Sequence, residues 1–368
     1  MDENPFVKRI GSAASALQER NLAALALVPG PGMRYLTGVR MHPSERLALG
    51  LLAPGRKAVF VVPAFEASRA EQDSGVEADL FGYTDEEGPQ NALAQACRRL
   101  GLNGKQLAAE SLQMRLMEFW HLRGAGVEIV AGDEILTALR VRKDAHELAA
   151  MREAARRTDK ALGKFLPEIQ TGRTEKELAA KLRSVLMDAS GEDVAFAPIL
   201  VAGPNSALPH GGPSECPLQN GDLVTIDCGI FYGSYVSDIT RTFAMGELKP
   251  ELRRVYEVVR EANRAGREAC RPGATAESVD RAARAVIRDA GYGDFFTHRT
   301  GHGIGLEVHE PPYIVEGNQT ILESGMTFTV EPGVYLPGRG GVRIEDDVAI
   351  TPDGAEVLTS FPRELMIL

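Results

Sequence analysis

Only four of the 368 residues are cysteine and one is tryptophan. Cys97, Cys216, Cys228 and Cys270 form no C-x-x-C pair. That spacing excludes a zinc knuckle and offers no disulfide framework, so reduced thiols are expected. Long apolar runs are missing too. The longest, LAALALV at 22–28, falls far short of the roughly 20 residues a membrane span needs. Basic charge is in deficit: 41 Lys and Arg face 51 Asp and Glu, for a net charge of −10. Nucleic acid is therefore not the expected partner. The opening MDENPFVKRI carries acids where a secretory leader carries bases, and no apolar segment follows. A cytoplasmic protein with no membrane partner is expected. No phosphate loop is present either. GPGMRYLTG (30–38) has three glycines but lacks the Lys-Ser/Thr pair, and reads as turn and packing.

What remains is an ordinary globular composition, 44% hydrophobic and 25% charged, in a chain long enough for two domains. The first third alternates helical and strand periods. VKRIGSAASALQERNLA, QMRLMEFWHLRGAG and PQNALAQACRRLGL read as helices; ALALVP, RLALGLLAP, KAVFVVP, KQLAAE and VEIVAG read as strands. This predicts an α/β layer domain over 1–138, followed by a second domain over 139–368. A long amphipathic helix capped by Asp144 opens the second domain. From there the order repeats. Gly172-x-Thr174 and Gly273-x-Thr275 each precede a helix, and Thr174 with Glu177 forms a capping box. Each helix pair is followed by a histidine-bearing loop and an acid-bearing hairpin. The pattern predicts two pseudo-equivalent halves with a site between them.

Two carboxylates, Asp227 and Asp238, lie in the strand-like LVTIDCGIFYGSYVSDITRTF (223–243). A two-residue turn at Tyr232-Gly233 would place them directly opposite each other, with Cβ atoms about 5 Å apart. Glu331 and Glu345 lie symmetrically about Gly338 in a second hairpin, MTFTVEPGVYLPGRGGVRIEDDVAIT. Any one of these acids alone reads as a solvated strand residue. Four facing inward would need positive charge between them, because burying unpaired carboxylates is very unfavourable. Divalent metal would supply it. Seven histidines are present, and four fall in two places: His210 in LPHGGPS, and His298, His302 and His309 in THRTGHGIGLEVHE. The glycines around His302 imply that backbone comes close to something there. Carboxylates with one imidazole suit Mn²⁺ or Co²⁺, with Zn²⁺ or Fe²⁺ also compatible. Paired ions can aim an activated water at a carbonyl carbon.

These segments, IDCGIFYGSYVSDITRTF, HRTGHGIGLEVHE, TVEPGVYLPGRGGVRIEDD and the closing RELMIL, resemble the pita-bread metallopeptidases, the superfamily of methionine aminopeptidase, aminopeptidase P, prolidase and creatinase. Their wording is most similar to Xaa-Pro dipeptidases (prolidases), and MRYLTG resembles the N-terminal domain of creatinase, prolidase and aminopeptidase P. The resemblance implies a creatinase-type N-terminal α/β domain and a pseudo-symmetric pita-bread catalytic domain. It implies two metals per subunit. Asp227 would hold one, Asp238 and Glu345 would bridge, and His302 and Glu331 would complete the second site. Glu331 would also serve as general base. His210 and His309 would donate to the scissile carbonyl, His298 would line the pocket, and Arg343 would stand at the site's edge, able to orient a carboxylate. Asp346 and Asp347 are read as supporting or surface acids, and Cys228 as core. The implied substrates are proline-containing dipeptides, with longer Xaa-Pro peptides (aminopeptidase P) as the alternative. A non-catalytic binding module of the same fold is disfavoured by the complete ligand set. A homodimer is implied, one subunit's N-terminal domain shaping its partner's pocket.

Overall fold

The computed structural model describes residues 4–368. Asp2 and Glu3, part of the acidic start read against a secretory leader, lie outside them. The chain divides into two compact units, Met1–Arg140 and Val141–Leu368. In the first, helices accompany one sheet: α1 (Pro5–Glu19), α2 (Pro31–Thr37), α3 (Ala67–Asp73), α4 (Gln90–Leu100), α5 (Leu116–Gly124) and α6 (Asp133–Arg140). The strands are β1 (Ala24–Leu27), β2 (Leu49–Leu52), β3 (Ala58–Pro63), β4 (Ala78–Tyr83), β5 (Gln106–Ala109) and β6 (Glu128–Ala131). They lie in the order β4-β3-β2-β1-β5-β6, with parallel outer pairs and an antiparallel centre. β1 to β3 are continuous apolar runs because they are buried along their whole length. The segment read as a turn, Gly30 to Gly38, is instead the short helix α2. Pro31 starts it and Gly38 ends it in a left-handed conformation.

The second unit holds α7 (Ala145–Phe165), α8 (Glu175–Ser190), α9 (Pro250–Ala269) and α10 (Ala276–Asp289). Asp144 caps α7 as expected, accepting from the N–H groups of His146 and Glu147. The capping box of Thr174 and Glu177 opens α8. In the second half Thr275 caps α10, its hydroxyl accepting from Ser278 N–H at 3.3 Å. The halves repeat the same backbone contacts. Gly172 N–H donates to Leu218 O at 2.8 Å, and Gly273 N–H to Leu322 O at 2.9 Å. Glu175 N–H reaches Cys216 O and Lys176 N–H reaches Ser214 O; Ala276 N–H reaches Thr320 O and Glu277 N–H reaches Asn318 O.

The strand ladders of this unit are antiparallel. β7 (Ile199–Ala202), β8 (Leu223–Cys228) and β11 (Ile239–Ala244) form one sheet in the order β11-β8-β7, and β9 (Phe231–Tyr232) pairs with β10 (Tyr235–Val236). The second half contributes β12 (Gly301–Gly303), β13 (Glu310–Ile314), β14 (Thr327–Val330), β15 (Gly333–Leu336), β16 (Gly340–Arg343), β17 (Asp346–Thr351) and β18 (Gly354–Val357). Five of these make a sheet ordered β13-β12-β14-β17-β18, and β15 pairs with β16. Cys228 is core, packed in one cluster with Leu200, Ile226 and Ile239. Among the described residues no helix is long and apolar enough to cross a membrane.

The first hairpin corrects the register expected from the sequence. Tyr232 pairs with Tyr235, so the turn is Gly233-Ser234 and not Tyr232-Gly233. Both turn residues have positive φ, 56° and 75°. A tight turn of this kind needs left-handed backbone at both central positions, which Gly-Ser accepts and Tyr-Gly resists. The ladder moves accordingly, and Asp227 faces Thr240. Asp238, two residues back from Thr240, is a diagonal neighbour on the same face and not a direct partner. The second hairpin keeps its expected register: Gly333 pairs with Arg343, and Val330 with Asp346. Between those pairs the ladder opens at Glu331 and Glu345. Glu331 N–H turns to Thr300 O at 2.7 Å, and Glu345 N–H to Thr240 O at 3.1 Å.

Candidate metal centre

The opened ladder joins the hairpins. Thr240, opposite Asp227, receives the Glu345 N–H and donates its own hydroxyl to Glu345 Oε2 at 2.5 Å. Asp238 is held from behind, its N–H donating to Asp347 Oδ2 at 2.9 Å. His302 enters from β12. Gly301 permits this, since a Cβ there would lie 1.8 Å from Thr329 O. The backbone that comes close to these glycines is therefore that of the adjoining strands. His302 Nδ1 lies 3.1 Å from Gly303 O, so the ring proton sits there and Nε2 offers a lone pair. Nε2 is 3.3 Å from Glu331 Oε1 and 4.0 Å from Asp238 Oδ2.

Asp238, His302 and Glu345 are buried, and their ligating atoms lie within 4.8 Å of one another. Asp227 Oδ1 and Asp238 Oδ1 are buried without a hydrogen-bond partner. An unpaired buried carboxylate oxygen is unfavourable unless a cation completes it. Burial, followed by repulsion from Glu345 and Asp227, pushes the Asp238 carboxyl well above its usual range. Burial, with Glu331 and Asp227, does the same to Glu345. Burial raises Glu331 to about 7 against the opposing pull of Arg343. The imidazole of His302 is pushed down to about 3, by burial and then by His309. Acids that resist ionisation beside a neutral imidazole are a donor set suited to a divalent cation.

Arg343 is buried beside the acids and is not a surface strand residue. Its Nη2 donates to Asp227 Oδ2 at 2.6 Å, Nε to Thr240 Oγ1 at 3.0 Å, and Nη1 to Tyr335 Oη at 3.0 Å and Pro209 O at 3.2 Å. Tyr335 Oη in turn meets His298 Nε2 at 2.8 Å. Burial, then Arg343, lowers His298 to about 4. The His309 ring lies 4.1 Å from that of His302, centroid to centroid. His210 is exposed on its loop, and its nearness is a minor cause of the lowering of His298 and His309. Asp346 and Asp347 are both buried. Asp346 is neutralised by Arg241 and Arg363, at 2.8 and 2.7 Å. Thr240, Tyr335 and Arg241 join the site without having been read from the sequence. Thr240 and Tyr335 carry a signal there, since they share strand parity with Asp238 and Glu331 respectively; Arg241 carries none.

Beside His309, Glu310 accepts from Lys143 Nζ at 2.7 Å, and the two side chains are only 5% and 2% exposed. Removing Lys143 takes the ammonium partner away from a carboxylate that stays buried. Lys143→Met is expected to lower unfolding free energy by about 3–5 kcal/mol, read from denaturant titration. A loss below about 1 kcal/mol, the level of a surface pair, contradicts this.

The fold and this cluster define a metal-dependent peptidase. The chain belongs to metallopeptidase family M24, which residues 149–352 match, while residues 9–142 match the creatinase/prolidase N-terminal domain. It is 39% identical to the probable dipeptidase PepE of Mycobacterium tuberculosis, over all of this chain and 98% of that one. It is 35% identical to the Xaa-Pro dipeptidase of Pyrococcus horikoshii, over 99% of both. The crystal structure of a prolidase from Thermococcus sibiricus superposes with a TM-score of 0.94, at 34% identity and full coverage of both chains.

Proposed function

We propose that this chain hydrolyses Xaa-Pro dipeptides, using two divalent ions, Mn²⁺ or Co²⁺, held by Asp227, Asp238, His302, Glu331 and Glu345. The observation that carries the reading is the pair of orphaned oxygens, Asp227 Oδ1 and Asp238 Oδ1, beside the buried cluster of Asp238, His302 and Glu345. Divalent ions there supply Lewis acidity and bring a water's pKa toward neutrality. Glu331 accepts the water's proton and returns it to the departing proline nitrogen. His309, kept neutral by burial and then Arg299, donates a ring N–H to the scissile carbonyl oxygen, as does His210. Arg343 holds Asp227 in place and, through Pro209 O, the residue that precedes His210. An Xaa-Pro bond carries no N–H. A site that grips the carbonyl and not the amide hydrogen therefore suits it.

The test is hydrolysis of Ala-Pro beside Ala-Pro-Ala-Ala, with and without Mn²⁺ or Co²⁺. Metal-dependent cleavage of the dipeptide, with the tetrapeptide at least about tenfold slower in kcat/KM (roughly 1.4 kcal/mol), is expected. Preference for the tetrapeptide would make the enzyme an aminopeptidase P.

A further inference from the structure

Glu175 is the first residue of α8 and is fully buried. Its carboxylate accepts four hydrogen bonds from one segment. Ala202 N–H donates to Oε1 at 2.6 Å. Asn205 Nδ2, Ser214 N–H and Ser214 Oγ donate to Oε2 at 2.7, 2.8 and 2.7 Å. These donors mark the beginning, middle and end of the loop that carries His210. The loop's other side meets β16, where Gly341 N–H donates to Ser206 Oγ at 2.9 Å and Arg343 Nη1 to Pro209 O.

Two observations separate this carboxylate from the general frame of the fold. The matching backbone position in the second half is Ala276, which makes the same main-chain contact without a carboxylate. There the next residue, Glu277, accepts a single bond, from Gly317 N–H at 3.2 Å, so the four-bond acceptor is particular to the half that carries His210. Among the described residues, moreover, no hydrogen bond holds the His210 ring, so its place is inherited from the loop backbone. Charged acceptors make the stronger hydrogen bonds, and Glu175 supplies the only carboxylate bonded to both ends of 202–214 among the described residues.

We propose that Glu175 is a positioning residue for His210, fixing the loop so that the ring reaches the scissile carbonyl. This rests on the reading of His210 given above. Glu175→Gln keeps the volume but turns one oxygen into a donor, which then opposes an N–H. A displacement of about 1 Å in such a group lowers rate by about 100-fold, and a fall of that order in kcat/KM on Ala-Pro is expected, with metal content unchanged. In a His210→Ala background the same substitution should cost less than about twofold, because coupled residues are non-additive. An undiminished fall in that background overturns the inference. Near-normal activity of His210→Ala alone overturns instead the reading of His210. If Glu175→Gln does not fold, Asn205→Ala removes one donor only. Its smaller loss should likewise vanish without His210, and persistence of that loss overturns the inference.

Discussion

Glu331→Gln is expected to lower kcat on Ala-Pro by about 10²–10⁴-fold, the usual range for removing a general base. The side chain keeps its volume and one oxygen, and its neighbours Thr329 Oγ1 and His302 Nε2, both at 3.3 Å, can still be met. What disappears is the ability to accept a proton, together with one negative charge on the proposed metal site, which is why metal content must be measured beside the rate. Burial gives the carboxyl a value of about 7, so it can both take and return a proton near neutrality. A base must be unprotonated to act, so activity falls as pH drops below its pKa. Bound cations pull that pKa down, which places the acid limb of kcat/KM at or below about pH 7. The amide variant should lose that limb with its rate. Steady-state kinetics with metal counted per chain decides the matter: near-normal kcat in metal-loaded Glu331→Gln contradicts the assignment.

Much of this site is legible in the sequence because its residues lie in short local patterns. The second hairpin is symmetric about Gly338, and the register read from that symmetry is the one the strands adopt around Glu331 and Glu345. The first hairpin offers two turns one residue apart. Choosing Tyr232-Gly233 over Gly233-Ser234 shifts every pair, although Asp227 and Asp238 stay on one face because the error preserves parity. Arg343 and Arg241 are harder. By strand alternation alone each is a cation with a solvated head, and only the family resemblance brings Arg343 to the site. Only the packing of one hairpin on the other buries them, against Asp227 and Asp346 respectively. Glu175 is hidden for the same reason. In sequence it is a first-turn acid of a helix, favourable there on dipole grounds alone, and its four donors come from 27 to 39 residues away.

Metal-free protein should lose stability as pH rises from about 6.5 to about 8, and added Mn²⁺ should restore it most at the upper end. The sign follows from two opposing sets of groups. His302 and His298 are lowered in the folded state, to about 3 and about 4, from 6.5. The unfolded chain binds more protons over that interval, so these residues, with the likewise lowered His309, make stability rise with pH, an effect that fades over about one pH unit above 6.5. Glu331 is raised from 4.5 to about 7, and Asp238, Glu345 and Asp347 are also raised. Their folded forms hold the extra protons, so stability falls as pH climbs from the unfolded values through the folded ones. Above about 6.5 the histidine effect fades and these carboxylates outweigh it. A divalent cation replaces those protons, and its binding becomes tighter as they leave. At a free concentration roughly 1,000 times its Kd, it would add about 4 kcal/mol. Thermal unfolding of chelated and Mn²⁺-loaded protein at the two ends of that interval measures both effects. A metal-free midpoint that does not fall over this interval would mean that the acids are ionised without a cation, and that the charge argument for the metal centre is wrong.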